Sequence, residues 1–212
     1  MLAGVFLAAL LVPSGALADD PTVKIDQSDQ AWAVRSLLRA NDFGPGWRGG
    51  RVKSTKLTGP DCPGFEPKAS DLVVTGHANA SFENPQAGVQ VSVDVQVLDR
   101  AASVRTDFAR TIRPQLAACL EHEFRTGPDN FQSVHVERMN VPAVGGISPH
   151  YRATILVRAH GRTAKVLSDF LFVGHGRLEY SLNVVASARY LPQLVPFELD
   201  VARILLRRAG TA

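Results

Sequence analysis

Six histidines (His77, His122, His135, His150, His160 and His175) and two cysteines (Cys62 and Cys119) are the most chemically versatile side chains in this sequence. Histidine ligates metals and moves protons near neutral pH. No pair stands at HxxxH, HxH or HExxH spacing, so a histidine site would have to be assembled across strands. His160-Gly161-Arg162 and His175-Gly176-Arg177 repeat a tripeptide, but both read as turns at opposite ends of a sheet, where they cannot converge on one ligand. An even cysteine pair in an oxidising compartment is ordinarily a disulfide. Bridging Cys62 to Cys119 would contribute roughly 4 kcal/mol by the chain-entropy model. Two free thiols, or a metal held by them, is the competing reading, against which stand the lack of a CxxC and of a histidine at ligand spacing.

Enzyme signatures are missing from the sequence. There is no GxSxG elbow, no glycine-rich phosphate loop, and no cysteine outside the proposed bridge to act as a nucleophile. No cofactor or metal is implied. Trp32 and Trp47 read as anchors at the ends of a helix rather than as carbohydrate platforms. Asn79-Ala80-Ser81 fits a glycosylation sequon but falls within a strand pattern.

The elements that must position these groups are legible as hydrophobic periods. Ser28 or Asp29 caps a helix running to about Ala40, closed by Gly44-Pro45-Gly46. Val89, Val91, Val93, Val95 and Val97 alternate with polar residues, the mark of a strand with one face in a core. Leu72 to Phe82 pairs with it through a turn at Asn84 to Gly88. Asp99 caps a long helical pattern through Phe124 that Pro114 must kink or split. A meander follows, with strands at Phe131 to Met139, Tyr151 to Ala159, Ala164 to Val173 and Arg177 to Ala186. Pro192 opens a final helix ending at Arg207-Arg208, cations at its negative end.

Register can be tested by asking for one apolar face. A two-residue loop at Gly161-Arg162 sets Val157 opposite Val166 and Tyr151 opposite Phe172. A three-residue loop at Gly174 to Gly176 then sets Phe172 opposite Leu178 and Phe170 opposite Tyr180. The valine strand and the C-terminal ribbon are therefore expected to share a single apolar side. The reverse face carries Arg152, Leu156, Arg158, Leu167, Asp169, Leu171 and Glu179. Either a helix or loop covers its apolar end, or the face is a binding surface with an apolar floor and charged walls.

The fold expected is α+β: an antiparallel sheet of about six strands packed by helices at the N-terminus, middle and C-terminus, with one disulfide. Residues 1–18 read as a signal peptide, an apolar run followed by Pro13-Ser14-Gly15 and Ala16-Leu17-Ala18, although no Lys or Arg precedes the run. Residues 19–212 then form one domain. With 23 Lys and Arg against 20 Asp and Glu, the net charge of +3 gives no nucleic-acid footprint.

The segment Ala33 to Trp47, with Leu37-Leu38 and Asp42-Phe43-Gly44-Pro45-Gly46-Trp47, precedes Cys62, the valine strand, Asp99-Arg100-Ala101-Ala102 opening a helix, and Cys119-Leu120 within it. This pattern resembles a group of exported actinobacterial proteins similar to the extracellular sensor domain of PknH-type serine/threonine kinases and, more distantly, to Mog1/PsbP-like lipoproteins. The likeness covers most of residues 19–212 as an order of helices, cysteines and strands. It implies an α/β sandwich with a disulfide and a ligand cleft, and no established catalysis. One cysteine pair stands here where the kinase sensors carry two, and there is no kinase domain.

The functional expectation is a secreted or envelope-located, non-catalytic binding or sensor-like module for a small molecule, lipid or cell-envelope component. The ligand-binding candidates are Arg152, Arg158, Asp169, Glu179, Leu156, Leu167 and Leu171. The alternative is a module that docks on an envelope protein partner through an exposed sheet face. Nucleic acid is not an expected partner.

Overall fold

A computed structural model of the chain describes residues 19–54, 56–58, 60, 62–126, 131–159 and 161–210. The expected signal peptide lies outside the described residues, as does His160.

Eight strands form one sheet in the order β1-β3-β4-β8-β7-β6-β5, with β2 also paired to β3. The two strands beside β3 at one end of the sheet are short: β1 is Thr22–Val23, parallel to β3, and β2 is Arg48–Val52, antiparallel to it. The long strands are β3 (Val73–Asn84), β4 (Val89–Leu98), β5 (Phe131–Met139), β6 (His150–Ala159), β7 (Arg162–His175) and β8 (Leu178–Ser187), which pair with one another antiparallel throughout. The α+β class, the antiparallel hairpin of β3 and β4 and the C-terminal meander are as the sequence implies. The count exceeds six because β1 and β2 are too short to show a period.

Among the described residues four α-helices cover the sheet: α1 (Gln27–Ser36), α2 (Ala101–Thr111), α3 (Gln115–Arg125) and α4 (Leu191–Ala209). Pro114 does split the long helical pattern, lying between α2 and α3. The cap of α1 is Asp26 rather than Ser28 or Asp29: its carboxylate accepts from the Ser28 and Asp29 amides at 2.9 and 3.1 Å. Arg100, not Asp99, holds the cap position of α2, and Asp99 instead accepts from the Ser103 hydroxyl at 2.6 Å.

The register corrects the expectation of a single apolar side. Ala159 pairs with Arg162, so Val157 faces Ala164 and Tyr151 faces Phe170, two residues from the expected pairing but on the same faces. His175 pairs with Leu178 across the turn at Gly176-Arg177, so Phe172 faces Ser181 and Val173 faces Tyr180. That odd shift turns β8 over. Apolar residues occupy both faces of β7, with Val166, Phe170 and Phe172 on one and Leu167, Leu171 and Val173 on the other. Neither register therefore strands a greasy face, and the one-face test has no power at this strand.

Two cores result, on opposite faces. On the first, Val91, Val93, Val95 and Val97 join Leu178, Tyr180, Leu182 and Val184, with Leu167, Leu171 and Val173, beneath α1 and α4. Each of these valines is essentially inaccessible, a burial that contributes about 1.5–3 kcal/mol per side chain. On the second face, Tyr151, Ala153, Ile155 and Val157 pack with Leu116 of α3 and the Cys62–Cys119 disulfide. That bridge, with Cα atoms 5.5 Å apart and its cysteines separated by 57 in sequence, is formed as expected. α2 adds Val104 and Phe108 over Leu98. Gly76 lets α1 approach β3: a Cβ there would stand 2.4 Å from the Asp29 carbonyl oxygen.

Candidate functional site

Two polar groupings stand out, on opposite faces of the sheet. The first grows from the pairing of β6 with β7, which sets Arg152 opposite Asp169 and His150 opposite Leu171 on the α4 side. Arg152 Nε donates to both Asp169 oxygens, at 2.8 and 3.1 Å, and its Nη2 donates to Oδ2 as well. Glu198 descends from α4, and its Oε2 lies 2.9 Å from His150 Nε2, which is also 3.7 Å from Asp169 Oδ2. His150, Asp169 and Glu198 are each 1 % exposed and Arg152 is 5 % exposed.

This cluster is electrostatically tense. Burial would raise the Asp169 carboxyl, but Arg152 overrides it and holds the group low. Burial drives Glu198 up, with the His150 contact opposing it only in part. Burial would lower His150, yet Asp169 and Glu198 together push it well above its ordinary value. Both ring nitrogens of His150 and both Glu198 oxygens lack a hydrogen bond of proper geometry among the described residues, despite the 2.9 Å approach.

The second grouping lies on the opposite face of β3, β4 and β8, where α1 and α4 do not reach. Pairing lines up His77, Gln96 and Glu179 in one row and Asn79, Asp94 and Ser181 in the next. His77 Nε2 lies 2.5 Å from Asp94 Oδ2, which also accepts from Asn79 Nδ2 at 2.7 Å, while Gln96 Nε2 donates to Oδ1 at 3.1 Å. The Asp107 carboxyl of α2 meets Glu179, and both groups are raised, chiefly by burial. For Glu179 the neighbouring negative charges of Asp107 and Asp94 add to the effect. Glu179 Oε1 and Asn79 Oδ1 have no hydrogen-bond partner among the described residues. Ser81 and Ser92, farther along the same face, are exposed.

The residues singled out from sequence divide between these faces. Arg152, Asp169, Leu167 and Leu171 do share one face, but it is sealed, with Leu167 and Leu171 in the core with α4 at 2 and 1 % exposure. Of the two readings of this face, a covered apolar end or an open binding floor, the covered one holds at these leucines. Leu156 is half-buried and Arg158 exposed on the same face. Glu179 lies on the reverse face, separated from Asp169 by the turned-over β8. His150 and Glu198 were missed because their proximity depends on how α4 docks, which no local period records. Asp94 falls among the residues that alternate with the valines of β4, so its side of the strand follows from that period. Asp107 was missed, because it comes from a helix whose placement follows the second core.

A cavity of about 370 Å³ lies elsewhere, between the disulfide loop and the corner of α2 and α3, lined by Gly64, Phe65, Glu66, Pro67, Lys68, Arg110, Arg113 and Gln115. Arg110 donates to Asp71 there, holding that carboxyl down at about 2. Trp47 stacks on Phe43 and Phe197 with centroids 4.5 and 5.9 Å apart, the anchoring role expected of it.

No family model matches the chain, and no curated protein or solved structure matches it either.

Proposed function

We propose that the protein is an exported, non-catalytic binding module, akin in role to a sensor domain, that captures a small polar molecule on the reverse face of β3, β4 and β8. The observation that carries this reading is the meeting of Asp107 and Glu179 beside a face whose other groups are Asp94, His77, Asn79 and Gln96. Two carboxyls held up by burial, Glu179 also by the charge of Asp107, lose that penalty when a cation arrives between them. The amide and hydroxyl groups beside them supply orientation. The ligand class this favours is a small amine or amino sugar rather than a lipid, since the half-covered face is polar. The disulfide supports an oxidising location outside the cytoplasm. Docking through Leu167 and Leu171 has no comparable support, because both side chains are covered.

Amide NMR titration with spermidine, glucosamine and neutral maltose tests this reading. Glucosamine or spermidine is expected to shift the amides of His77, Gln96 and Glu179, and Glu179→Gln with Asp107→Asn to remove the response. Shifts confined to the Lys68, Arg110 and Arg113 cavity, or no shifts with any probe, would refute it.

A further inference from the structure

The sealed cluster under α4 has the composition of a metal centre. Zn²⁺ bonded to histidine nitrogen and carboxylate oxygen at about 2.0–2.2 Å in a tetrahedron places its ligand atoms about 3.3 Å apart. His150 Nε2 stands 2.9 Å from Glu198 Oε2 and 3.7 Å from Asp169 Oδ2, a spread that brackets this separation. One ligand atom from each of His150, Asp169 and Glu198 can be chosen so that all lie within 4.8 Å of one another.

Hydrogen bonding and charge point the same way. The contact between His150 and Glu198 is close but not directed as a hydrogen bond, which leaves buried lone pairs converging on shared space. Arg152 faces Asp169 on β7 and Glu137 directly across on β5. Within the buried cluster, the carboxylates of Asp169 and Glu198 stand against the single guanidinium of Arg152, a surplus of negative charge that a divalent cation bound between them would offset. Arg152, gripping both Asp169 oxygens, fixes that carboxylate as groups behind metal ligands do.

We infer that His150, Asp169 and Glu198 form a buried binding site for a divalent transition-metal cation of the zinc type, which ties α4 to the sheet. Because the ligands are inaccessible, the ion enters as the chain folds. Its role is structural and does not depend on the ligand proposed for the other face.

The test refolds the oxidised full-length protein from denaturant with Zn²⁺, with Mg²⁺ or with chelator, and measures bound metal by mass spectrometry alongside Tm. One equivalent of zinc, none of magnesium, and a Tm several degrees above the chelated sample are expected. Refolding with Co²⁺ should give the intense visible absorption of a four-coordinate site. Glu198→Gln should bind at least tenfold less zinc, while His135→Ala, on the exposed part of β5, should bind as the parent does. No retained zinc and no Tm change in the parent protein would overturn the inference. So would zinc held at one equivalent by Glu198→Gln. Should that variant fail to fold, the cobalt spectrum of the parent decides alone: an octahedral, weakly absorbing spectrum counts against the site.

Discussion

Arg152 of β6 and Asp169 of β7 occupy directly paired strand positions and meet through two guanidinium nitrogens, almost wholly out of water. Such a pair stabilises little relative to an apolar substitute, but breaking it strands a buried charge. Arg152→Ala should therefore lower stability by about 3–5 kcal/mol in urea unfolding. Arg152→Met combined with Asp169→Leu should recover most of that loss. A loss under 1 kcal/mol for the single change would mean that the pair is solvated in solution.

The Cys62–Cys119 bridge joins cysteines separated by 57 in sequence, a loop for which the chain-entropy model gives about 4 kcal/mol. Replacing both cysteines by serine should lower the urea midpoint accordingly. Amide exchange should then quicken first around α3 and β6, where the bridge joins the second core, and only later around β4.

Glu179 gives the stability a definite pH slope. Its carboxyl holds its proton well above the ordinary value near 4.5, because it is buried and faces Asp107 and Asp94. Above that ordinary value the folded chain keeps a proton that the unfolded chain has released, so stability falls as pH rises until Glu179 ionises in place. Asp107, also raised, acts in the same sense. Glu179→Gln should be about 1 kcal/mol more stable than the parent at pH 7, the typical cost of a poorly partnered buried polar group. The two proteins should converge toward pH 4, and parallel curves across this range would contradict the assignment.

Gly76 has no side chain because the first turn of α1 occupies the space. A Cβ there would lie 2.4 Å from the Asp29 carbonyl oxygen and 2.9 Å from the Gln30 amide nitrogen, both backbone atoms that cannot swing away. Gly76→Ala should displace α1 and cost about 2–3 kcal/mol, within the range for overpacking. It should also disturb Gln30, whose side chain bonds the backbone of His77 in both directions. Chemical denaturation together with the NMR shift of the His77 amide would measure both effects.

Periodicity carried much of the fold and little of the chemistry. The valine alternation of β4 and the turn residues of the meander place six strands because each strand obeys a local rule. β7 is placed by its turns but its register is not, since Leu167, Leu171 and Val173 balance Val166, Phe170 and Phe172 and no pairing register is penalised. The side of the sheet on which Glu179 falls depends on that one register, so its separation from Asp169 could not be read in advance. Arg152 and Asp169 share a face under either β6–β7 pairing, and their common side was accordingly legible. Glu198 is one of several polar residues of α4, among them Gln193, Asp200 and Arg203, and nothing local marks it as the buried one. Its burial becomes meaningful only once α4 is laid across β6 and β7.

Because β7 separates two packed compartments, Leu171 and Phe172 are adjacent in the chain yet belong to different interiors. Holes opened at these two positions cannot collapse into one another, so their costs should sum despite the peptide bond between them. Each layer of helices is thus free to drift in sequence under its own packing constraints, with this one strand answering to both.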